Sequence, residues 1–104
     1  MTSSPKKGTF SSVIKVVVLT ERAKKDLRAV PTQVVDKFEA WVQSVEAIGL
    51  EEVRKIPGFH DEPLRGKRKG QRSIRLNRAY RAFYVVIRGA VEFVSVEEVN
   101  KHEY

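Results

Sequence analysis

The chain is 104 residues long, enough for one hydrophobic core and too short for two. It contains no cysteine, which excludes disulfides, zinc-thiolate sites and thiol nucleophiles and fits a reducing cytoplasm. The net charge of +7 is localised: Arg65, Lys67, Arg68, Lys69, Arg72, Arg75, Arg78 and Arg81 lie in one stretch without an acidic residue, while the rest of the chain is nearly balanced.

Residues 1–12 mix Ser, Thr, Gly, Pro and Lys without periodicity and read as a disordered tail, leaving 13–104 as the folded domain. Val13 to Leu19 is β-branched and reads as a strand. Lys15 interrupts its apolar run, which is too short to span a bilayer, so no membrane role is expected. Thr20 can cap a following helix, in which Ala23, Leu27 and Val30 recur at helical spacing until Pro31 ends it. The clearest pattern follows: Val34, Phe38, Trp41, Val45 and Ile48 form the apolar stripe of a core helix stopped by Gly49.

Leu50 to Gly70 carries Pro57, Gly58, Pro63, Gly66 and Gly70 and reads as a loop, with one helical turn near Glu51 to Arg54. Three strands are expected after it, Gln71 to Leu76, Tyr80 to Arg88 and Val91 to Val99, joined by Asn77-Arg78-Ala79 and by a tight turn at Gly89-Ala90. Strand, helical hairpin and three-stranded meander give an α+β fold with one antiparallel or mixed sheet and helices on one face.

The basic stretch starts in the loop and continues onto two strands, an arrangement suited to phosphate oxygens and hence to nucleic acid. Arg75 and Arg81, on strands, have fixed directions; Arg65, Lys67, Arg68, Lys69, Arg72 and Arg78 add field and docking contacts. The ordinary alternatives are a solvated face, or cross-strand pairing of Arg75 and Arg81 with a carboxylate such as Glu92. Glu62 lies beside the run as a carboxylate that can take a proton, or as an unremarkable loop residue. His60 is equally a loop hydrogen-bonder or a base, and His102 and Tyr104 directly follow a strand. RNA supplies its own nucleophile, the 2′-hydroxyl, so cleavage needs only a base, an acid and cations around the phosphate, with no cofactor or metal.

Three segments carry a family resemblance: EPLRG at Glu62 to Gly66, GQRSIRLNRAYRAFY at Gly70 to Tyr84 and VNKHEY at Val99 to Tyr104. Together they resemble the RelE/ParE toxin superfamily, and within it the nuclease branches RelE, YoeB and HigB. The resemblance implies a toxin of a type II toxin-antitoxin pair that cuts mRNA on the ribosome, partnered by a cognate antitoxin in a hetero-oligomer. It also implies that Glu62 is the base, Arg81 the phosphate ligand, and His102 with Tyr104 the end of the site. Arg65 and Arg75 fall on basic positions of the same pattern. Two departures stand out: Ser73 occupies a position where RelE carries lysine, and Glu103 separates His102 from Tyr104. The competing expectations are a ParE-like inhibitor of DNA gyrase, which needs no base or acid, and a non-catalytic RNA-binding module.

Overall fold

The computed structural model describes residues 13–101. The expected tail at 1–12 and the expected site residues His102 and Tyr104 lie outside the described residues. Thr20 caps the first helix as its chemistry dictates. Its hydroxyl oxygen accepts from the Ala23 N–H at 3.0 Å and its own proton goes to the Glu97 carbonyl at 2.8 Å. That helix, α1 (Glu21–Arg28), carries Glu21 in its first turn and Lys25 and Arg28 in its last, the order the helix dipole favours.

Helix α2 (Thr32–Ile48) buries Val34, Phe38, Trp41 and Val45, the stripe read from the sequence. Ile48, the last residue of the helix, departs from that stripe and is half exposed. Gly49 then adopts φ 90°, open to glycine and strained for any other residue, and the chain turns straight into a one-turn helix, α3 (Leu50–Val53). Leu50 and Val53 return to the core, and the Leu50 N–H donates to the Ile14 carbonyl at 2.9 Å.

The strands are β1 (Val17–Leu19), β2 (Glu62–Pro63), β3 (Arg72–Arg75), β4 (Tyr80–Ile87) and β5 (Phe93–Lys101). They form one five-stranded mixed sheet in the order β1-β5-β4-β3-β2. β1 runs parallel to β5 and the other pairs are antiparallel. The sheet thus has one strand more than expected, since Glu62–Pro63 leaves the loop to pair with β3. Pro63 is tolerated because β2 is an edge strand. β1 is correspondingly shorter than the expected Val13 to Leu19.

Where β1 ends, α1 takes over the edge of β5: the Val99 N–H, which has no strand beside it, donates to the Asp26 carboxylate at 3.0 Å. The core lies between α2 and the sheet, with the Trp41 ring centroid 5.4 Å from that of Tyr84 on β4. Both side chains are fully buried, and burials of this size each stabilise the fold by roughly 1.5–3 kcal/mol. Between β3 and β4, Asn77 closes the turn by accepting the N–H groups of Ala79 and Tyr80 at 2.7 and 2.8 Å. No helix among the described residues is long and apolar enough to cross a membrane.

Candidate functional site

Side chains alternate across a pleated sheet, so the pairing register sorts the polar residues of β2 to β5 onto two faces. On the face turned away from α2, Glu62, Ser73, Phe83 and Glu98 form one row across four strands. Arg75, Arg81 and Asn100 form the next. On the helix-covered face, Arg72 pairs with Tyr84 and Ile74 with Ala82.

The outer face holds a buried arginine. Arg81 is 4% exposed; one terminal nitrogen donates to Ser73 Oγ at 3.0 Å and the other approaches Glu62 Oε2 at 3.2 Å. The Glu62 side chain is 43% exposed, so this carboxylate closes the pair from the solvent side. His60 Nε2 lies 3.8 Å from Glu62 Oε1. His60 sits in the left-handed region at φ 49°, the cap of a 3-10 turn at Pro57–Phe59. Arg75, opposite Arg81, is exposed and makes no ion pair among the described residues.

The inner face binds the residue next door. The Asp61 side chain is 1% exposed and accepts from Arg72 Nε at 2.6 Å and from the Tyr84 hydroxyl at 2.6 Å. Burial alone would lower the Arg72 pKa, but the hydrogen bond and charge of Asp61 outweigh it and raise the value. Tyr84 is pushed well above its ordinary value, first by burial, then by its hydrogen bond to Asp61 and the charge there. The phenol therefore stays protonated and donating through the neutral range.

Beyond Phe83 an open groove of about 660 Å³ is lined by Arg22, Leu64, Arg68, Phe83, Glu98, Asn100 and Lys101. Glu98 is 7% exposed and is held between Arg22 at 3.0 Å and Arg68 at 2.9 Å.

Of the residues singled out in the sequence, Glu62 and Arg81 meet directly and Arg75 joins them on the same face. Arg65, Lys67, Lys69 and Arg78 are exposed and free of ion pairs among the described residues. Arg68 is half-buried and tied to Gln71 as well as Glu98. Arg72 lies on the opposite face, bound to Asp61, so it does not belong to the outer arginine cluster. Three positions separate Arg72 from Arg75 and put them on opposite sides of β3, a signal present in the numbering. Glu92 pairs with Arg88 at 3.5 Å and with neither Arg75 nor Arg81. Asp61, Phe83, Glu98 and Arg22 carried no separate signal, because their importance comes from partners distant in sequence.

No protein-family profile matches this chain, and no curated protein does. Solved structures do. A YoeB/ParE toxin from Agrobacterium tumefaciens superposes with a TM-score of 0.63 at 19% identity, covering 85% of this chain and 99% of its own. The YoeB–YefM complex from Staphylococcus aureus gives 0.62 at 18% identity, covering 84% and 95%. The toxin-antitoxin complex RelBE2 from Mycobacterium tuberculosis gives 0.59 at 20%, covering 84% and 96%. The chain therefore has the RelE/YoeB-like toxin fold.

Proposed function

We propose that this protein is the toxin of a type II toxin-antitoxin pair and a ribosome-dependent endoribonuclease that cleaves mRNA through the RNA's own 2′-hydroxyl. The observation that carries the reading is the Glu62–Arg81 pair: a carboxylate open to solvent, seated on an arginine fixed by Ser73, with Arg75 alongside. A buried guanidinium is a preorganised phosphate ligand, since its direction is set before the substrate arrives.

In the reaction, the scissile phosphate takes Arg81 as its partner and releases the Glu62 carboxylate beside the 2′-hydroxyl. Glu62 accepts the 2′-hydroxyl proton while the 2′-oxygen bonds to phosphorus. Arg81 and Arg75 stabilise the charge that develops on the phosphorane oxygens. The bond from phosphorus to the 5′-oxygen breaks and that oxygen receives a proton from the acid. His102 is the acid implied by the family resemblance, with Tyr104 orienting the strand, and His60 is the imidazole next to Glu62 among the described residues. The products are a 2′,3′-cyclic phosphate and a 5′-hydroxyl. The exposed Arg65, Lys67, Lys69 and Arg78 dock the protein on ribosomal and messenger RNA in a salt-dependent manner. A cognate antitoxin, through an acidic or helical segment, covers the arginine face and silences it.

The test is translation-coupled mRNA cleavage with mapped RNA ends, in the wild type and in Arg81→Ala and Glu62→Ala. Loss of cleavage in both supports the assignment, and undiminished cleavage in both removes it. Toxicity accompanied by gyrase-linked DNA damage and intact mRNA would replace this reading with the ParE-like one.

A further inference from the structure

The reaction described above uses Glu62, Arg75 and Arg81 and leaves the groove beyond Phe83 without a task. Within that groove Arg68 is restrained in an unusual way for a surface side chain. Its guanidinium lies 4.3 Å from the centroid of the buried Phe83 ring, and one of its terminal nitrogens reaches Glu98 at 2.9 Å and Gln71 at 2.9 Å. Glu98 is in turn fixed by Arg22 at 3.0 Å and by the Asn100 amide. A free arginine loses considerable rotamer entropy when it is held still, and these contacts offset that loss in advance. The guanidinium carbon lies over the Phe83 ring, while the side chain as a whole remains 39% exposed.

The geometry points to a nucleobase subsite, in which the outer face of the Arg68 guanidinium stacks a base of the same RNA strand whose phosphate sits at Arg81. Guanidinium planes are established platforms for unstacked bases. The lining favours a nucleotide over a neutral ring, since Arg22, Arg68 and Lys101 outnumber the single carboxylate of Glu98. Leu64 supplies an apolar lip, and Asn100 contributes an amide able to hydrogen-bond a base edge. The connection to the scissile phosphate is direct: Phe83 is two residues along β4 from Arg81, about 7 Å, and on the same face. Glu98 is a positioning residue here, for it holds Arg68 over Phe83 without needing to touch the base.

This inference rests on the reading of the Glu62–Arg81 face as an RNA site, but its test needs neither cleavage nor a ribosome. The full-length protein is titrated with a 2′-deoxy trinucleotide, which lacks the nucleophile and stays intact, and with an abasic deoxyribose-phosphate chain of equal length and charge. NMR follows the Arg68 Nε–H and the Phe83 ring. The expected result is about tenfold tighter binding of the trinucleotide than of the abasic chain, the scale of one stacked base. The Arg68 and Phe83 signals move only with the former. Arg68→Lys keeps the charge and loses the plane, so it abolishes that difference while abasic binding stays within about twofold. Equal affinity for the two chains, or an Arg68→Lys variant that still discriminates, would overturn the subsite. So would signals that respond to a hexaglutamate peptide and not to the trinucleotide, because the groove would then belong to an acidic protein segment. Base-dependent binding without any mRNA cleavage would sink the proposed reaction and leave the subsite standing.

Discussion

Asp61 and Glu62 are neighbours in the chain, each holds an arginine, and the two ion pairs are built in opposite ways. In the inner pair the carboxylate is the buried partner, satisfied by Arg72 and Tyr84 at 2.6 Å each. In the outer pair the arginine is buried, and the carboxylate faces solvent. The difference teaches which partner can be exchanged. A buried carboxylate with its donors in place gains nothing by moving, and losing them would strand a charge. A buried arginine with an exposed carboxylate can trade that carboxylate for an incoming phosphate. The inner pair is structure, and it aims the outer one: extended backbone turns successive side chains to opposite faces, so fixing Asp61 inward presents Glu62 outward.

The largest effect expected from breaking this contrast is on catalysis. Glu62→Gln keeps the hydrogen-bonding shape of the outer pair and removes the base, so translation-coupled cleavage should fall on the order of 10²- to 10⁴-fold. Thermal melts of the same variant should show a smaller loss than Asp61→Ala, because the glutamine keeps a side-chain oxygen for the Arg81 guanidinium and the position is 43% exposed. A large loss of stability would mean that the outer pair is structural as well. The inner pair predicts the reverse. Asp61→Ala leaves Arg72 and the Tyr84 hydroxyl without their acceptor and should cost about 3 kcal/mol in urea unfolding. Unfolding free energies equal to wild type would erase the distinction.

Tyr84→Phe removes one of the two donors to Asp61 and should cost about 1.5 kcal/mol near neutral pH. Its pH dependence sharpens the point. The raised Tyr84 pKa means that above the ordinary tyrosine value, near 10, the folded state keeps a proton that the unfolded chain gives up. The stabilisation is present in full below that value and is lost as pH rises from about 10 through the folded pKa. Melting curves between pH 8 and 11 should therefore converge for wild type and Tyr84→Phe at the alkaline end; curves that stay parallel would show that the hydroxyl is not held in this way. The smallest effect belongs to Arg75, exposed and unpaired among the described residues. Arg75→Ala should leave the melting temperature unchanged and lower cleavage about tenfold, within the range of a single electrostatic contact.

The element order was legible because its causes are local. Thr20 caps whatever helix follows it, and the stripe from Val34 to Val45 demands a buried face wherever α2 lies. Ile48 continues that stripe in sequence yet ends half exposed, since periodicity does not say where the core stops. The pairing of Glu62–Pro63 with β3 was not legible: a two-residue strand has no alternation to detect, and a proline argues against it. The site was half legible. Charge concentration and the EPLRG segment led to Glu62, Arg75 and Arg81, while Asp61, Phe83 and Glu98 acquire their roles from residues far along the chain.

By itself the sequence determined an α+β chain with one core helix, a strand-rich C-terminal half and a basic segment from Arg65 to Arg81, because composition and periodicity are properties of neighbours. Only the tertiary structure decided which face each of its arginines occupies and what it meets there. Arg72 turns inward to Asp61, Arg81 turns outward to Glu62, and Arg68 lies over Phe83. Strand register assigns each side chain to a face, and register is set by pairing between segments that no local window contains.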